Sequence, residues 1–550
     1  MATATVAPVV GALENQPRSG PVTGWPSILR LQLRLDRIKS LVWIASVVAL
    51  VVVSAISVSE LYPDEASVQG YARLVSDNAA VVVQAGPGYG LQTDPSTGAV
   101  LMNELSLWTI VLVGLMSILL VTRHTRSEEE TERAELLRST PVGRHAAGLA
   151  TMVNALLVNV VAAGAVILGT IASGFGAVGS IAFGLALCTS GLLFAAISLV
   201  AAQVAATGRA ATGIGLAVLA VSFLLRAIGD VTGSFLTWLS PIGIGQGVRA
   251  FADERWWTPV LSLGLAAGVT WLATVLAARR DFGAGMIPER AGRPAATRWM
   301  QGPFALALRL QRGALLGWFC GIVFFAAFYG ALASEAEEML ADNPDLEQFF
   351  ALSAGSSITD AFLASAVLIL ALLLAGYGIS GVLRLSGEEN NGRVEALLAT
   401  PTTRTRWASS HLLVTAIGCV GVAAAGGLAV GIGAAVTTGD SSLIAEMLWA
   451  LLAYVPAVGV LAGVAFVLWA WVPRLAILGW VGLVWSAVVG LLAQLLDLPD
   501  WVVSLSPLDH VPSLPAEGFE ATGLVTMAAA TVLLVAAGLV GFTRRDLGSS

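Results

Sequence analysis

Twelve apolar stretches, each long enough to cross a bilayer as a helix, occur along these 550 residues. They lie near 41–59, 104–122, 147–171, 181–206, 211–228, 258–278, 313–333, 361–383, 409–436, 445–472, 475–495 and 522–542. A helix needs about 20 mostly apolar residues to span the hydrocarbon core. Only 12% of the residues are charged, whereas a soluble domain carries roughly 25%. The sequence therefore predicts an all-α integral membrane protein with twelve transmembrane helices.

The distribution of charge predicts how these helices are oriented. Lysine and arginine concentrate on the cytoplasmic side of membrane proteins. Here they cluster before the first span, in the central linker, at the C-terminus, and between the second and third spans of each half of the chain. Acidic residues dominate the segments 60–94 and 334–360 instead. Both termini are therefore predicted to be cytoplasmic, which an even number of spans allows.

One cytoplasmic segment occurs twice, 260 residues apart. The first copy, EEETERAELLRSTPVGR, runs from Glu128 to Arg144, and the second, EENNGRVEALLATPTTR, runs from Glu388 to Arg404. The positions that agree are Glu128/Glu388, Glu129/Glu389, Arg133/Arg393, Glu135/Glu395, Leu137/Leu397, Thr140/Thr400, Pro141/Pro401 and Arg144/Arg404. A charged element at the same place in two halves of a membrane protein suggests a docking point for a cytoplasmic partner.

Four further matches extend the duplication along the whole chain. They pair Arg34-Leu35-Asp36-Arg37 with Arg309-Leu310-Gln311-Arg312, Arg209 with Arg474, Leu239-Ser240-Pro241 with Leu505-Ser506-Pro507, and Arg279-Arg280-Asp281 with Arg544-Arg545-Asp546. All keep the same order, which predicts an internal repeat with halves at residues 1–290 and 291–550. Six spans per half is an even number, so the halves are predicted to be parallel repeats.

Shorter patterns predict the local structure around the spans. Amphipathic stretches at 28–38 and 303–312 precede the first span of each half and suit a helix in the inner interface. The stretches 229–257 and 497–518 contain Ser-Pro and predict broken helices that dip into the outer leaflet. Ser127 and Ser386 are predicted to cap short helices in the duplicated segment. Within them, Glu129 and Glu389 would each pair with the arginine four residues later.

Several kinds of chemistry lack their required residues. A P-loop needs Gly-Lys-Ser/Thr, and the only lysine, Lys39, follows Ile38. The four histidines and three cysteines form no metal-ligand spacing, so neither an enzyme nor a metal site is predicted. Polar residues within spans are few. Asn154, Asn159 and Tyr377 are candidates for lining a cavity, although hydrogen bonding between helices is the commoner role of such side chains.

The pattern E-E-x-x-x-R-x-E-x-L-x-x-T-P-x-x-R between the second and third spans resembles the coupling segment of ABC-2 type exporter permeases. The amphipathic helix before each half, the six-span halves and the Arg-Arg-Asp ending are also similar to that type V exporter-like family. Fused twelve-span forms occur among actinobacterial exporters of polyketide antibiotics, the tetronasin-resistance type. The outer segments 60–103 and 334–360 depart from compact ABC-2 permeases, and the resemblance does not explain them.

That resemblance implies a permease of the bacterial cytoplasmic membrane that exports lipophilic or amphipathic drugs, giving multidrug efflux and antibiotic resistance. Two copies of a separate ABC ATPase subunit would bind ATP and Mg, and would dock at the coupling segments, residues 126–144 and 386–406. The other expected partners are membrane lipid and a lipophilic small molecule, with no nucleic acid and no cofactor in this chain. Every agreeing residue of the two segments, from Glu128 to Arg144 and from Glu388 to Arg404, is a candidate coupling residue.

Two alternatives remain open at this point. A proton-driven transporter of the major-facilitator type also has parallel six-span repeats, but its loop between the second and third spans has Gly and Asp-Arg before a basic end. This chain has an acidic start and Thr-Pro there, and its spans hold almost no carboxylates or histidines of the kind that proton relays use. The other alternative is a membrane scaffold or a polymer-synthesis subunit without transport activity.

Overall fold

The computed structural model describes residues 20–76, 79–130, 142–280, 285–287, 302–334, 358–493 and 498–546. Helices make up the regular structure of these residues, and no strand occurs among them. Twelve helices in this described part are long and apolar enough to cross a membrane, from Trp25–Leu61 to Ala521–Arg544. The prediction of an all-helical chain with twelve spans is therefore confirmed. Packing divides the chain into two compact units, Met1–Ala291 and Gly292–Ser550.

Unit 1 is built around two central helices. Its helices are α1 (Trp25–Leu61), α2 (Glu65–Ser76), α3 (Ala79–Ala85), α4 (Thr97–Thr122), α5 (Ala146–Ala172), α6 (Ala177–Val204), α7 (Gly208–Thr232), α8 (Pro241–Gln246) and α9 (Trp257–Arg279). The apolar windows of α4 and α6 are 67% and 78% buried, against 17% for α9. The outer helices leave large apolar side chains exposed, such as Leu168 and Trp271. Such extensive apolar surface suits contact with lipid rather than with water.

Unit 2 has one mostly buried helix among its described residues. Its helices are α10 (Pro303–Ala331), α11 (Ile358–Asn390), α12 (Arg393–Leu398), α13 (Arg404–Thr438), α14 (Ser442–Ala453), α15 (Val455–Trp471), α16 (Gly479–Leu492), α17 (Asp500–Val503) and α18 (Ala521–Arg544). The apolar window of α11 is 67% buried, whereas that of α18 is 6% buried. Gly330 and Gly433 let α10 and α13 approach closely, because a Cβ at either would meet backbone of the other helix within 3.0 Å.

The amphipathic stretch before the first span is not a separate helix. Residues 28–38 form the first turns of α1, a single helix of 37 residues, and α10 likewise joins the stretch 303–312 to the next span. In α1 the polar side chains of Gln32 and Asp36 are buried, while Leu35 and Ile38 are exposed. Pro26 starts this helix, and no glycine or proline interrupts it before Leu61. An interfacial position for either stretch stays a prediction.

Unit 1 also carries the long segment that the family resemblance left unexplained, residues 60–103. Arg226 of α7 is fully buried and donates to the carbonyl oxygens of Val82 (3.1 Å) and Val83 at the end of α3. Tyr71 of α2 donates to Asn103 Oδ1 of α4 at 2.9 Å. Burial raises the pKa of the Tyr71 phenol, so the hydroxyl keeps the proton that this bond needs. These contacts hold α2 and α3 against the helix bundle.

The predicted broken helices are present before the last span of each unit. In unit 1 they are the 3₁₀ turn Phe235–Leu239 and α8, and in unit 2 they are α17 and the 3₁₀ turn Pro507–His510. Ser240 caps α8 by accepting from Gly243 N at 3.2 Å. Gln246, at the end of α8, donates to Ala85 O at 2.8 Å, which ties the broken helix to α3. Whether these helices enter the outer leaflet stays a prediction.

Candidate functional site

The acidic start of the first coupling segment belongs to the helix of the second span. After Thr122, α4 continues through a π-helical turn, Arg123–Ser127, to Glu130. The expectation that Ser127 caps a new helix is wrong, because the backbone never leaves the helical region at that point. Glu128 and Glu129 therefore lie in the last described turn of this helix, and residues 131–141 lie outside the described residues. Both glutamate side chains are half-buried. Their carboxylates need cationic partners.

Two arginines supply that partner for Glu129. Arg280, just past the end of α9, donates to Oε1 and Oε2 of Glu129 at 2.5 and 2.9 Å. Arg126 donates to Oε2 at 2.5 Å, and its remaining donors reach Ala206 O at 2.6 and 2.9 Å. Gln203 Oε1 accepts from Arg280 Nε at 2.8 Å and orients the guanidinium. Because a bidentate arginine–carboxylate contact is strong and directional, this cluster fixes the coupling segment to α6 and α9.

Glu128 is bound to α1 through a buried histidine. His124 Nδ1 lies 2.9 Å from Glu128 Oε1, and His124 Nε2 makes a short contact with Asp36 Oδ2. Asp36 Oδ1 also pairs with Arg123 at 2.8 Å. Carboxylate oxygens accept hydrogen bonds, so a proton on each ring nitrogen of His124 would satisfy both contacts. The contacts among Asp36, His124 and Glu128 had no direct signal in the sequence, because 88 residues separate Asp36 and His124.

The second coupling segment makes the corresponding contacts in unit 2. Arg545, just past the end of α18, donates to both oxygens of Glu389 at 2.8 Å. Its guanidinium also stacks over Trp469, 5.2 Å from the ring centroid. Arg393 pairs with Glu388 at 3.2 Å, and not with Glu389 as its spacing predicted, since Gly392 at φ +68° ends α11 before Arg393. The helix that follows, α12, is short, as the Asn390-Asn391-Gly392 sequence predicted.

The last arginine of each segment binds the end of the sixth span of its own unit. Arg144 donates to Ala278 O at 2.9 Å, and Arg404 donates to Arg545 O at 2.5 Å. In each unit the coupling segment is thus joined to the end of the sixth span by a glutamate and by an arginine. The coupling segment and the Arg-Arg-Asp motif were recognisable as repeats in the sequence, but nothing in either one indicated that they touch.

Exposure divides the candidate coupling residues into two groups. Glu388 is buried, and Glu389, Leu397 and Arg404 are half-buried against their unit. The exposed members of the second segment are Arg393, Glu395, Thr400 and Pro401. In the first segment Glu128 and Glu129 are half-buried and Arg144 is exposed. The remaining candidates, Arg133, Glu135, Leu137, Thr140 and Pro141, lie outside the described residues. The buried and half-buried residues can anchor the segments, and the exposed residues can contact a partner.

The polar candidates within the spans are buried between helices. Asn159 donates to Ser117 Oγ at 3.1 Å and to Ala155 O at 2.8 Å, which links α5 to α4. Asn154 and the Tyr377 hydroxyl are buried without a hydrogen-bond partner in this structure. Their role in a cavity stays a prediction. Among the residues that the structure describes, no group of His, Cys, Asp and Glu is arranged to hold a metal ion.

Comparison with known proteins gives two matches. Residues 300–543 match a family model described as the C-terminal domain of the multidrug efflux system permease Rv1217c. The chain is also 36% identical over 533 residues to the multidrug efflux system permease protein Rv1217c of Mycobacterium tuberculosis strain ATCC 25618 / H37Rv. That alignment covers 96% of each protein, so the similarity extends through both units and both coupling segments.

Proposed function

We propose that this chain, which belongs to the family of multidrug efflux system permeases represented by Rv1217c, is the membrane-spanning subunit of an ATP-driven exporter. Family membership identifies a multi-pass drug-efflux permease, a transport subunit rather than an enzyme. The proposal adds the energy source, which is ATP hydrolysis by two copies of a separate ABC ATPase. It also places the chain in the bacterial cytoplasmic membrane and takes lipophilic or amphipathic compounds, polyketide antibiotics among them, as cargo.

One observation carries the proposal: each coupling segment is fixed to the last helix of its unit by a charged clamp. Glu129 binds Arg280 and Glu389 binds Arg545, in both cases through two carboxylate oxygens. A solvated loop that only obeyed the charge rules of membrane topology would need no such contact. A segment that receives force from a partner does need one, because a mobile loop would absorb the displacement. The clamps are therefore what a mechanical link between an ATPase and the spans requires.

The proposed mechanism follows from the helices that these contacts join to each segment. Closure of the ATPase pair on ATP pushes the exposed residues of each segment, such as Glu395. The clamps transmit that displacement to the end of the sixth span, and the Glu128–His124–Asp36 contacts transmit it to α1. Each parallel six-helix repeat then moves as a body, which carries an amphipathic compound from the inner leaflet outwards. The chain itself supplies no nucleotide chemistry, since ATP and Mg are bound by the partner.

The test replaces an exposed coupling residue and leaves the clamps intact. Glu395→Arg should abolish co-purification with the ATPase and drug-stimulated ATP hydrolysis, because it reverses a charge on the docking surface without changing any buried contact. Glu520→Arg is the matched control, with the same charge change at an exposed position that precedes the last span. ATPase binding that is equal in the two variants would contradict the coupling assignment.

A second measurement separates this proposal from proton-driven transport. Efflux from cells that are treated with an uncoupler should continue while ATP is maintained, and should stop when ATP is depleted. The opposite pattern would support the major-facilitator alternative. Efflux no greater than that of cells lacking the permease, under either condition, would indicate a scaffold without transport activity.

A further inference from the structure

Glu104 is an ionisable residue on the membrane-spanning helix α4. It lies about 10 Å along the helix from Thr97, at the end remote from the coupling segment. No other residue between Thr97 and Thr122 is charged. The side chain of Glu104 is exposed, and it forms no ion pair within the part of the chain that the structure describes. Ionisable residues in spans are costly and commonly mark a binding site or a pathway.

The second half of the chain has no counterpart of this carboxylate. At the offset of 260 residues that relates the two coupling segments, Ala364 stands in place of Glu104 and Leu368 in place of Trp108. Both of these residues belong to α11. Packing of the second span of a unit therefore does not require an acidic residue at this position, and Glu104 is a feature of unit 1 alone.

Three aromatic side chains lie near Glu104. Tyr62, just after α1, and Tyr71 of α2 form an edge-to-face pair with ring centroids 5.2 Å apart. The Tyr71 hydroxyl donates to Asn103 Oδ1 at 2.9 Å, which places the pair beside the residue that precedes Glu104. Trp108 follows Glu104 by one helical turn and so lies on the same side of α4. All three rings are half-buried, so part of each surface is accessible.

The charge of Glu104 acts on both phenols. Burial, and after it the Glu104 carboxylate, raises the pKa of Tyr62 to about 12. Burial and Glu104 also raise the pKa of Tyr71. No cationic group in the described part of the chain contributes to either change. The charged residues of the stretch 60–76 are mostly acidic as well: Glu60, Asp64, Glu65 and Arg73. The aromatic rings therefore lie in a region of negative potential.

We propose that Glu104, Tyr62, Tyr71 and Trp108 form a binding site for a lipophilic cation. The carboxylate supplies the opposite charge, and the rings supply apolar contact and cation–π attraction. Aromatic rings with their faces within about 6 Å of a cation attract it through their quadrupole, and quaternary ammonium groups are recognised in this way. The inference deepens the proposed function, on which it rests only in taking the cation to be export cargo or a lipid headgroup.

The experiment measures binding to the full-length permease in dodecyl maltoside micelles, without ATPase and without nucleotide, at a pH of about 8, where carboxylates are ionised. The probe is the cation tetraphenylphosphonium, followed by equilibrium dialysis, and tetraphenylborate is an anion of the same shape. The wild type should bind the cation saturably and more tightly than the anion. Glu104→Gln should weaken cation binding by about tenfold, through loss of the opposite charge, and should not weaken anion binding.

Two controls test the location and the role of the rings. Asp94→Asn should bind the cation as the wild type does, because Asp94 is an exposed acid of the same segment that acts on neither phenol. Tyr62→Leu should weaken cation binding by about fivefold, whereas Tyr62→Phe, which keeps the ring, should bind as the wild type does. Equal cation affinity of Glu104→Gln and Asp94→Asn, or no saturable binding by the wild type, would overturn the proposal.

A choline lipid then assigns the source of the cation. If a lipid headgroup is the natural occupant, dihexanoylphosphatidylcholine should displace the probe from the wild type. If free cargo is the occupant, the probe should remain bound; either result upholds the cation site. Because no ATPase is present, a failure of this inference leaves the coupling assignment standing, and a failure of coupling leaves the binding result standing.

Discussion

Replacing Glu129 by glutamine removes the carboxylate that two arginines share at the inner end of unit 1. The side chain of Glu129 is 14% exposed, and those of Arg280 and Arg126 are 10% and 1% exposed. Removing one partner of a buried charge pair costs about 3–5 kcal/mol, because it leaves the other charge without compensation. Partial access of water to Glu129 places the expected loss in the free energy of unfolding at about 3 kcal/mol. Glu389→Gln should cost less, about 2 kcal/mol, since one arginine rather than two loses its partner.

The assay is reversible unfolding of the permease in mixed micelles with increasing sodium dodecyl sulfate. Glu395→Gln is the control, and it should change the free energy of unfolding by less than about 0.5 kcal/mol because Glu395 is exposed. A double-mutant cycle of Glu129→Gln with Arg280→Gln should give a coupling energy of about 2 kcal/mol. A loss for Glu129→Gln no larger than that for Glu395→Gln, or a coupling energy near zero, would refute the argument that the clamp holds the segment.

Two further predictions concern the outer end of unit 1. Gly179→Ala should destabilise the protein by about 1–3 kcal/mol through overpacking, because its Cβ would lie 2.3 Å from the ring of Phe251. Gly176→Ala is the control, since a Cβ there meets nothing within 4 Å. The control should leave the free energy of unfolding unchanged in the same assay. Arg226→Gln removes the donors to the end of α3, so trypsin should cleave faster at Arg73 than in the wild type. An unchanged cleavage rate would mean that Arg226 does not hold the outer segment.

The spans were predictable because hydropathy over a long window depends on composition alone. Which face of a helix is buried was not predictable in the same way. Leu31, Leu35 and Ile38 were expected to mark a separate interfacial helix, but they form an exposed face of the continuous helix α1. In a membrane the exposed face of a helix is apolar, so the same periodicity fits both arrangements. What distinguishes them is the burial of Gln32 and Asp36, which depends on partners in distant helices.

The candidate site was also predictable only in part. Duplication alone pointed to Glu129, Glu389 and the Arg-Arg-Asp motifs. The contact between them spans 151 residues in unit 1 and 156 in unit 2, and it depends on how the sixth span returns to the segment. One signal was available, since both motifs recur together in both halves. The π-helical turn at Arg123–Ser127 had no such signal, because its hydrogen-bond register follows from packing around Arg126 and His124.

The two coupling segments differ in how they reach the first helix of their unit. In unit 1, Glu128 is linked through His124 to Asp36 by ionic hydrogen bonds, and the helix of the second span runs unbroken to Glu130. In unit 2, Gln311 occupies the position of Asp36, and its contacts of 3.2–3.4 Å join α10 to His411 and Thr415 of α13.

Gly392 also separates α11 from α12 at a positive φ of 68°, which gives the second segment a point of rotation. A displacement that reaches Glu130 therefore acts on α1 through the contacts of Glu128, His124 and Asp36. The same displacement applied to the second segment is partly taken up by rotation at Gly392 before it reaches the anchoring residues. Two identical ATPase subunits would consequently drive two unequal mechanical links.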